Sequence, residues 1–198
     1  MSVRSAVITG ADQPLGRAVA EGIAGSVDSL TLGGVDEEAL QATVEAVSTM
    51  VDEVVHLRTD VRDEFDVERL METASRAGGG SIDLVVPCAR VSHLNGSTPV
   101  TEWSYAGFDD ELRTNLRGVF TSVREALPHC TASSRIVVPR EDATNDDGIL
   151  PVGEAAIEVL AITVDGSGPS CEVVTVDRIP LDTDTEVSAT QVLDALAE

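Results

Sequence analysis

The sequence predicts an α/β domain built on a doubly wound parallel sheet. Short apolar, β-branched runs alternate with segments of helical apolar spacing from the first residues on. The runs are continuously apolar rather than alternating, as strands covered on both faces are. The connections are short, so each strand–helix–strand unit is a crossover, which makes the sheet parallel with helices on both faces.

The elements follow in order. Ser5–Thr9 is an apolar strand that stops at Gly10, and Leu15–Ala24 continues with helical spacing at Leu15, Val19 and Ile23. Ser29–Leu32 is the second strand, closed by Gly33 and Gly34. Asp36 then reads as the N-cap of a helix reaching about Met50. Val54–Leu57 is the third strand, and Asp63–Arg76 the third helix, ending at Gly78-Gly79-Gly80. Ile82–Val86 is the fourth strand. A loop through Asn95, Gly96 and Pro99 leads to a helical stretch from Tyr105 to His129, with a turn expected near Gly107. Ile136–Val138 is the fifth strand, Glu154–Thr163 a helix, Glu172–Val176 the sixth strand and Ser188–Leu196 a closing helix.

The chain of 198 residues fits one domain spanning positions 1–198, long enough to bury a core without disulfides or metals. No linker, repeat or low-complexity segment divides it. No apolar run approaches the roughly 18 residues of a membrane span, and no basic patch precedes an apolar stretch at the N-terminus. The expectation is a cytoplasmic protein that does not bind membranes.

The 35 acidic residues outweigh 13 basic ones, all arginine, for a net charge of -22. Such a surface repels nucleic acid and anionic lipid. The acid is spread over helices and loops rather than gathered in a tail. A diffuse acidic coat without lysine is expected of a salt-adapted organism, because molar salt shortens the screening length to about 3 Å. An ordinary acidic protein is the alternative. Cys88, Cys130 and Cys171, like His56, His93 and His129, are scattered without metal-ligand or redox spacing, so no metal is expected. Cys88 and Cys171 lie in apolar runs, where a free cysteine acts as a small hydrophobe.

Val7–Gly16 joins a strand to a helix through a glycine turn. Gly10 permits the tight turn, Gly16 permits close helix–strand packing, and the free N–H groups of the helix start suit a pyrophosphate. A β-turn-α junction also favours glycine for purely structural reasons. The segment Thr9-Gly10-Ala11-x-x-x-Leu15-Gly16 resembles the cofactor loop of the short-chain dehydrogenases/reductases, T-G-x-x-x-G-[IL]-G. Pro14 stands at the middle glycine; it suits a first helical turn but removes one N–H donor and fills space. Asp12 adds a negative charge to the same loop.

The resemblance extends over about residues 3 to 180 and implies a Rossmann-like fold binding NAD or NADP. Asp60-Val61 is similar to the family's pair that contacts adenine, although Asp60 is equally a turn or capping acid. Asp83–Val91 is similar to D-x-L-V-N-N-A-G-V and retains Ala89, with Pro87 and Cys88 at the two Asn and Arg90 at the Gly. Arg90 either obstructs the site or lies on the surface; pairing with a phosphate is the third reading. The implied cofactor residues are Thr9, Gly10, Ala11, Leu15, Gly16, Asp60, Val61 and Ala89. Asn115, within Asn115–Phe120, matches the family's mid-helix Asn that shapes a proton-relay water; its plain reading is a structural Asn at a helix kink.

Carbonyl reduction in the family uses a Tyr-x-x-x-Lys pair and a Ser. This chain contains no Lys, and its single Tyr is Tyr105. The family segment aligns with Leu150–Leu160, so Leu150 stands for the Tyr and Glu154 for the Lys; Ile136–Glu141 carries no Ser. A carboxylate such as Glu154 raises a neighbouring phenol pKa rather than lowering it. Tyr105 is a weak substitute donor and otherwise a half-buried aromatic near Trp103. Ser133 and Ser134 have no His–Asp pair to activate them. The segment after the sixth strand is short, leaving little for a substrate lid.

These observations lead to a catalytically impaired, NAD(P)-binding family member acting as sensor, scaffold or partner subunit, pairing into homo- or hetero-oligomers through the long Phe108–Leu127 helix. An active oxidoreductase with an unusual proton donor is one alternative, and a binder of another nucleotide-type ligand in the same crevice is the other. NAD and NADP are not distinguished. Gly33 and Gly34 stand where an acid or arginine would decide, and Asp36 reads as a cap; the lack of a basic residue there favours NAD weakly.

Overall fold

The computed structural model describes residues 3–90, 99–142, 172–180, 190 and 193–194. Six strands form one parallel sheet: β1 (Ser5–Thr9), β2 (Ser29–Gly34), β3 (Glu53–Arg58), β4 (Ile82–Pro87), β5 (Cys130–Asp142) and β6 (Glu172–Pro180). Their order is β3-β2-β1-β4-β5-β6, so the order reverses between β1 and β4. Ligand crevices of open α/β sheets lie at such a switch point, outside the carboxyl ends of the strands.

Burial explains the continuous apolar runs. Every residue of β1 and β2 is buried, whereas β3, at the sheet edge, has no buried residue. Successive β1 side chains point to opposite faces. Ala6 and Ile8 enter a core with Leu30, Leu32, Leu84, Val86 and Val137, covered by α1 (Pro14–Ile23) and α2 (Glu37–Val47). Val7 enters a second core with Val85, Ile136 and Val138, covered by α3 (Glu64–Ala77) and the later helices. Leu193 packs against the first core.

Side chains set the helix starts. Asp36 accepts from the Ala39 amide at 3.0 Å, capping α2, and Asp63 accepts from the Phe65 amide at 2.9 Å, capping α3. Gly79 and Gly80, with φ of 75° and 114°, turn the chain from α3 into β4.

Two elements differ from the sequence expectation. The stretch after Tyr105 does not turn at Gly107, which lies inside α4 (Tyr105–Glu111). Its irregularity is a π-helical turn, Leu112–Arg117, that leads into α5 (Gly118–Ala126) and a 3-10 turn (Leu127–His129). β5 runs well beyond Ile136–Val138. Its pairing with β6 shifts register between Pro139 and Glu141, where Pro139 has no N–H to donate. The expected helix Glu154–Thr163, most of Ser188–Leu196, the substituted positions Leu150 and Glu154, and His93 and Cys171 lie outside the described residues.

Candidate functional site

Gly10, at the carboxyl end of β1, has φ +68°, and a Cβ there would lie 2.5 Å from both the Cα and the N of Ala89. The first turn and the chain leaving β4 therefore touch backbone to backbone. Gly16 packs the opening of α1 onto the Gly10 carbonyl. Gln13 then ties the two segments together: its amide nitrogen donates to the Arg90 carbonyl at 2.7 Å, and its oxygen accepts from the Arg90 amide at 2.9 Å. Pro14 occupies the first position of α1, where the missing N–H would have no intrahelical partner.

The β2 end forms the next wall. The Ala11 amide donates to the Gly33 carbonyl at 2.9 Å, and the Thr43 hydroxyl, reaching over from α2, donates to the Ala11 carbonyl at 2.8 Å. Asp12 crosses to the β2–α2 turn, where its Oδ2 accepts from the amides of Val35 at 3.0 Å and Asp36 at 2.9 Å. A Cβ on Gly34 would lie 2.5 Å from Asp12 Oδ1, so the carboxylate rests on the Gly34 backbone.

The third wall is the β3 end. Arg62 donates to both Asp60 oxygens, and its other arm reaches Asp110 of α4 at 2.7 Å. The Arg62 hydrogen bonds hold the Asp60 carboxyl below the usual carboxylate range against the opposing effect of partial burial, and Asp60 raises the Arg62 guanidinium in turn. A Cβ on Gly118 would meet Val61 Cγ2 at 2.7 Å, so α5 starts hard against this wall. One turn earlier, in the π-helical segment, Thr114 is buried with its hydroxyl lacking a hydrogen-bond partner. A buried hydroxyl without a partner costs free energy, and π turns recur at functional sites.

These walls enclose a crevice of about 390 Å³, part of it open solvent, lined by Gly10, Asp12, Gln13, Gly34, Val35, Thr59, Asp60, Val61, Arg62, Ala89 and Thr114. It brings together four of the residues expected from the sequence: Gly10, Asp60, Val61 and Ala89. Thr9, Ala11, Leu15 and Gly16 shape it from behind. Thr9 accepts the Cys88 amide at 3.0 Å through its carbonyl, and Leu15 packs on the core. Asn115 sits half-buried in the π segment beside Thr114, outside the lining. Tyr105 is not half-buried: it is 92% exposed at the start of α4, away from the crevice. Asp12, Gln13, Arg62 and Thr114 were not singled out as site residues from the sequence. Arg62 was legible in principle, two residues past Asp60, whereas the partners of Gln13 and Asp12 lie 77 and 23 residues away.

Arg90 does not line this crevice. Its guanidinium donates to the carbonyls of Ala89 at 2.9 Å and Pro139 at 2.5 Å, spanning the ends of β4 and β5. Cys88 is buried, and desolvation pushes its thiol up to about 12 despite the Arg90 charge, the behaviour of a packing residue rather than a nucleophile. Among the described residues no cluster of His, Cys, Asp or Glu is arranged to hold a metal, and no described helix is long and apolar enough to cross a membrane.

The short chain dehydrogenase family pattern matches residues 4–138 of the chain. Among curated proteins, glycine betaine reductase ATRR of Emericella nidulans is 30% identical over 68% of this chain and 10% of its own length. The 2-(R)-hydroxypropyl-CoM dehydrogenase of Xanthobacter autotrophicus is 26% identical over 86% of this chain and 72% of its own. Against other short-chain relatives the chain spans about half of their length, 52% and 51% in two cases. Among solved structures, an alcohol dehydrogenase from Thermococcus sibiricus complexed with 5-hydroxy-NADP superimposes with a TM-score of 0.81 at 21% identity, covering 98% of this chain and 91% of that one. LigO from Sphingobium, in its apo form, gives 0.83 at 17% identity, covering 99% and 80%.

Proposed function

The chain belongs to the short-chain dehydrogenase family, and from that premise we propose that it binds a nicotinamide dinucleotide in the crevice without carrying out the family's usual carbonyl reduction. The fold is the dinucleotide-binding Rossmann type, and the described walls fit the adenosine end of such a ligand. Gly10 lets the first turn close on the Ala89 backbone at the carboxyl end of the sheet, no side chain caps the α1 amino end, and Thr114 presents a buried hydroxyl in want of a partner. Gly10 and the start of α1 would take the pyrophosphate, and Gly34, Val35 and Thr59–Arg62 would surround the adenosine. When bound, the cofactor would supply or accept a hydride. This chain's residues position it, exclude water around the adenosine and set its charge environment.

The observation that carries the impairment is compositional: the chain has no Lys. The phenol of the family mechanism therefore has no ammonium to lower its pKa. Tyr105, the single tyrosine, points to solvent outside the crevice, which speaks against the reading of an active enzyme with this residue as donor. A role as sensor, scaffold or partner subunit follows. Phe120 on α5, 44% exposed, supports pairing through the Phe108–Leu127 helical stretch.

Calorimetric titration of NAD(H) and NADP(H) into the folded protein in molar KCl tests this reading, followed by a turnover screen over alcohols and carbonyls. Binding without turnover is the expected result. Turnover abolished by Tyr105→Phe would overturn the impairment, and no heat with any of the four ligands would overturn the binding.

A further inference from the structure

We propose that Asp12 selects the cofactor by occupying, from the first-turn loop, the place where a 2′-phosphate on the adenosine ribose would be held, so that the crevice takes NAD(H) and rejects NADP(H). The inference rests on the dinucleotide reading of the crevice. A 2′-phosphate at the end of β2 needs hydrogen-bond donors and a cation. The donors present there are the amides of Val35 and Asp36 at the opening of α2, and both already point at Asp12 Oδ2, at 3.0 and 2.9 Å. A phosphate would have to displace a carboxylate bound by two amides and then sit beside its charge.

The rest of the wall offers no relief. Asp36 faces the same turn and is committed to capping α2 through the Ala39 amide. Arg62, the cation of the crevice lining, gives one arm to Asp60 and the other to Asp110. Arg58, beside Gly34 in the sheet register, is a basic side chain close by, but it is not among the lining residues. An unphosphorylated ribose meets the opposite situation. Asp12 Oδ1 lies over Gly34, on the crevice wall, and is an acceptor for a ribose hydroxyl. The acid that reads the ribose usually stands at the end of the second strand; in this chain that strand ends in Gly33-Gly34 and the first loop supplies the carboxylate across the gap. Gly34 is required for it, since a Cβ there would collide with Asp12.

The test is calorimetric titration of NAD+ and NADP+ into the intact protein and into Asp12→Ser and Asp12→Asn. The intact protein is expected to bind NAD+ at least about tenfold more tightly than NADP+. Asp12→Ser, which frees both amides and removes the charge, should narrow that ratio about tenfold, mainly through a gain for NADP+. Asp12→Asn keeps an acceptor of the same shape and should narrow it less; it also serves if the serine variant is poorly folded. Equal affinity of the intact protein for both cofactors, or a ratio unmoved by both substitutions, would overturn the role of Asp12 while leaving dinucleotide binding intact. Heat with neither cofactor would overturn the binding site itself, and this inference with it.

Discussion

The two sides of the crevice are held by different means. On the side of β1, β2 and β3 the walls close on glycines with no space for a Cβ: Gly10 against the Ala89 backbone, Gly34 under the Asp12 carboxylate, Gly118 against the Val61 side chain. On the side of β4 and β5 the arrangement depends on side chains, with Gln13 bonded to the Arg90 backbone and the Arg90 guanidinium laid over the carbonyls of Ala89 and Pro139. On the first side Gly10, Asp60 and Val61 match the family pattern and Pro14 stands at its middle glycine. On the second only Ala89 matches, with Pro87, Cys88 and Arg90 in place of two Asn and a Gly. Close backbone approach tolerates no substitution without moving a strand, whereas a polar side chain can be exchanged once its chemistry is no longer needed.

The largest effect should come from breaking the first side. Gly10→Ala adds a methyl 2.5 Å from the Ala89 backbone at a φ of +68°, and is expected to cost about 3 kcal/mol or more in urea denaturation. Gly79 has a similar φ, +75°, but no atom within 4 Å of its would-be Cβ. Gly79→Ala should therefore cost only the backbone strain, about 1 kcal/mol. Equal losses would mean that conformation rather than close approach makes Gly10 necessary.

Gln13→Ala probes the second side. It leaves the Arg90 amide and carbonyl without their partner and is expected to cost about 1–2 kcal/mol. Arg90→Ala removes the guanidinium contacts but keeps the backbone that Gln13 holds. The two losses should add to within about 0.5 kcal/mol. A larger coupling in the double-mutant cycle would show that the clamp and the guanidinium act as one unit.

Thr114→Val sharpens the comparison at the floor of the crevice. Its hydroxyl is buried without a partner in the ligand-free protein, so the isosteric apolar side chain should stabilise by up to about 1 kcal/mol. The same change should weaken NAD+ by about fivefold if the hydroxyl is reserved for the ligand. Stability gained with affinity unchanged would assign the orphan hydroxyl to the fold instead.

The sheet was legible because each strand is an apolar run and each helix carries its own punctuation, such as Asp36 and Asp63 as caps and Gly78-Gly79-Gly80 as a stop. These are local signals. The glycine turn was legible for the same reason, and the match at Asp60-Val61 and Ala89 followed from spacing along one family pattern. What could not be read were partnerships across the sheet. Nothing near Asp12 announces that its carboxylate serves two amides of the next βα turn, and nothing near Arg90 announces carbonyls of another strand. The π turn at Leu112–Arg117 was legible only as the kink read at Asn115, since its other residues read as continuous helix.

The smallest effect belongs to the ion pair that closes the first side. Arg62 holds the Asp60 carboxyl below its usual range, chiefly through their side-chain hydrogen bonds. A carboxylate whose folded pKa is depressed stabilises the fold above the unfolded value of about 3.9 and loses that contribution as pH falls through the folded pKa. Arg62→Ala should therefore destabilise by a nearly constant amount from neutral pH to about pH 5, and the gap should close as the pH drops below about 4. The pair is partly solvated, so the gap is expected to be about 0.5–1 kcal/mol and to shrink in molar salt. Urea midpoints of both proteins from acid to neutral pH measure it. A gap unaltered across that range would mean that Arg62 holds the wall through packing rather than through the charge of either carboxylate, Asp60 or Asp110.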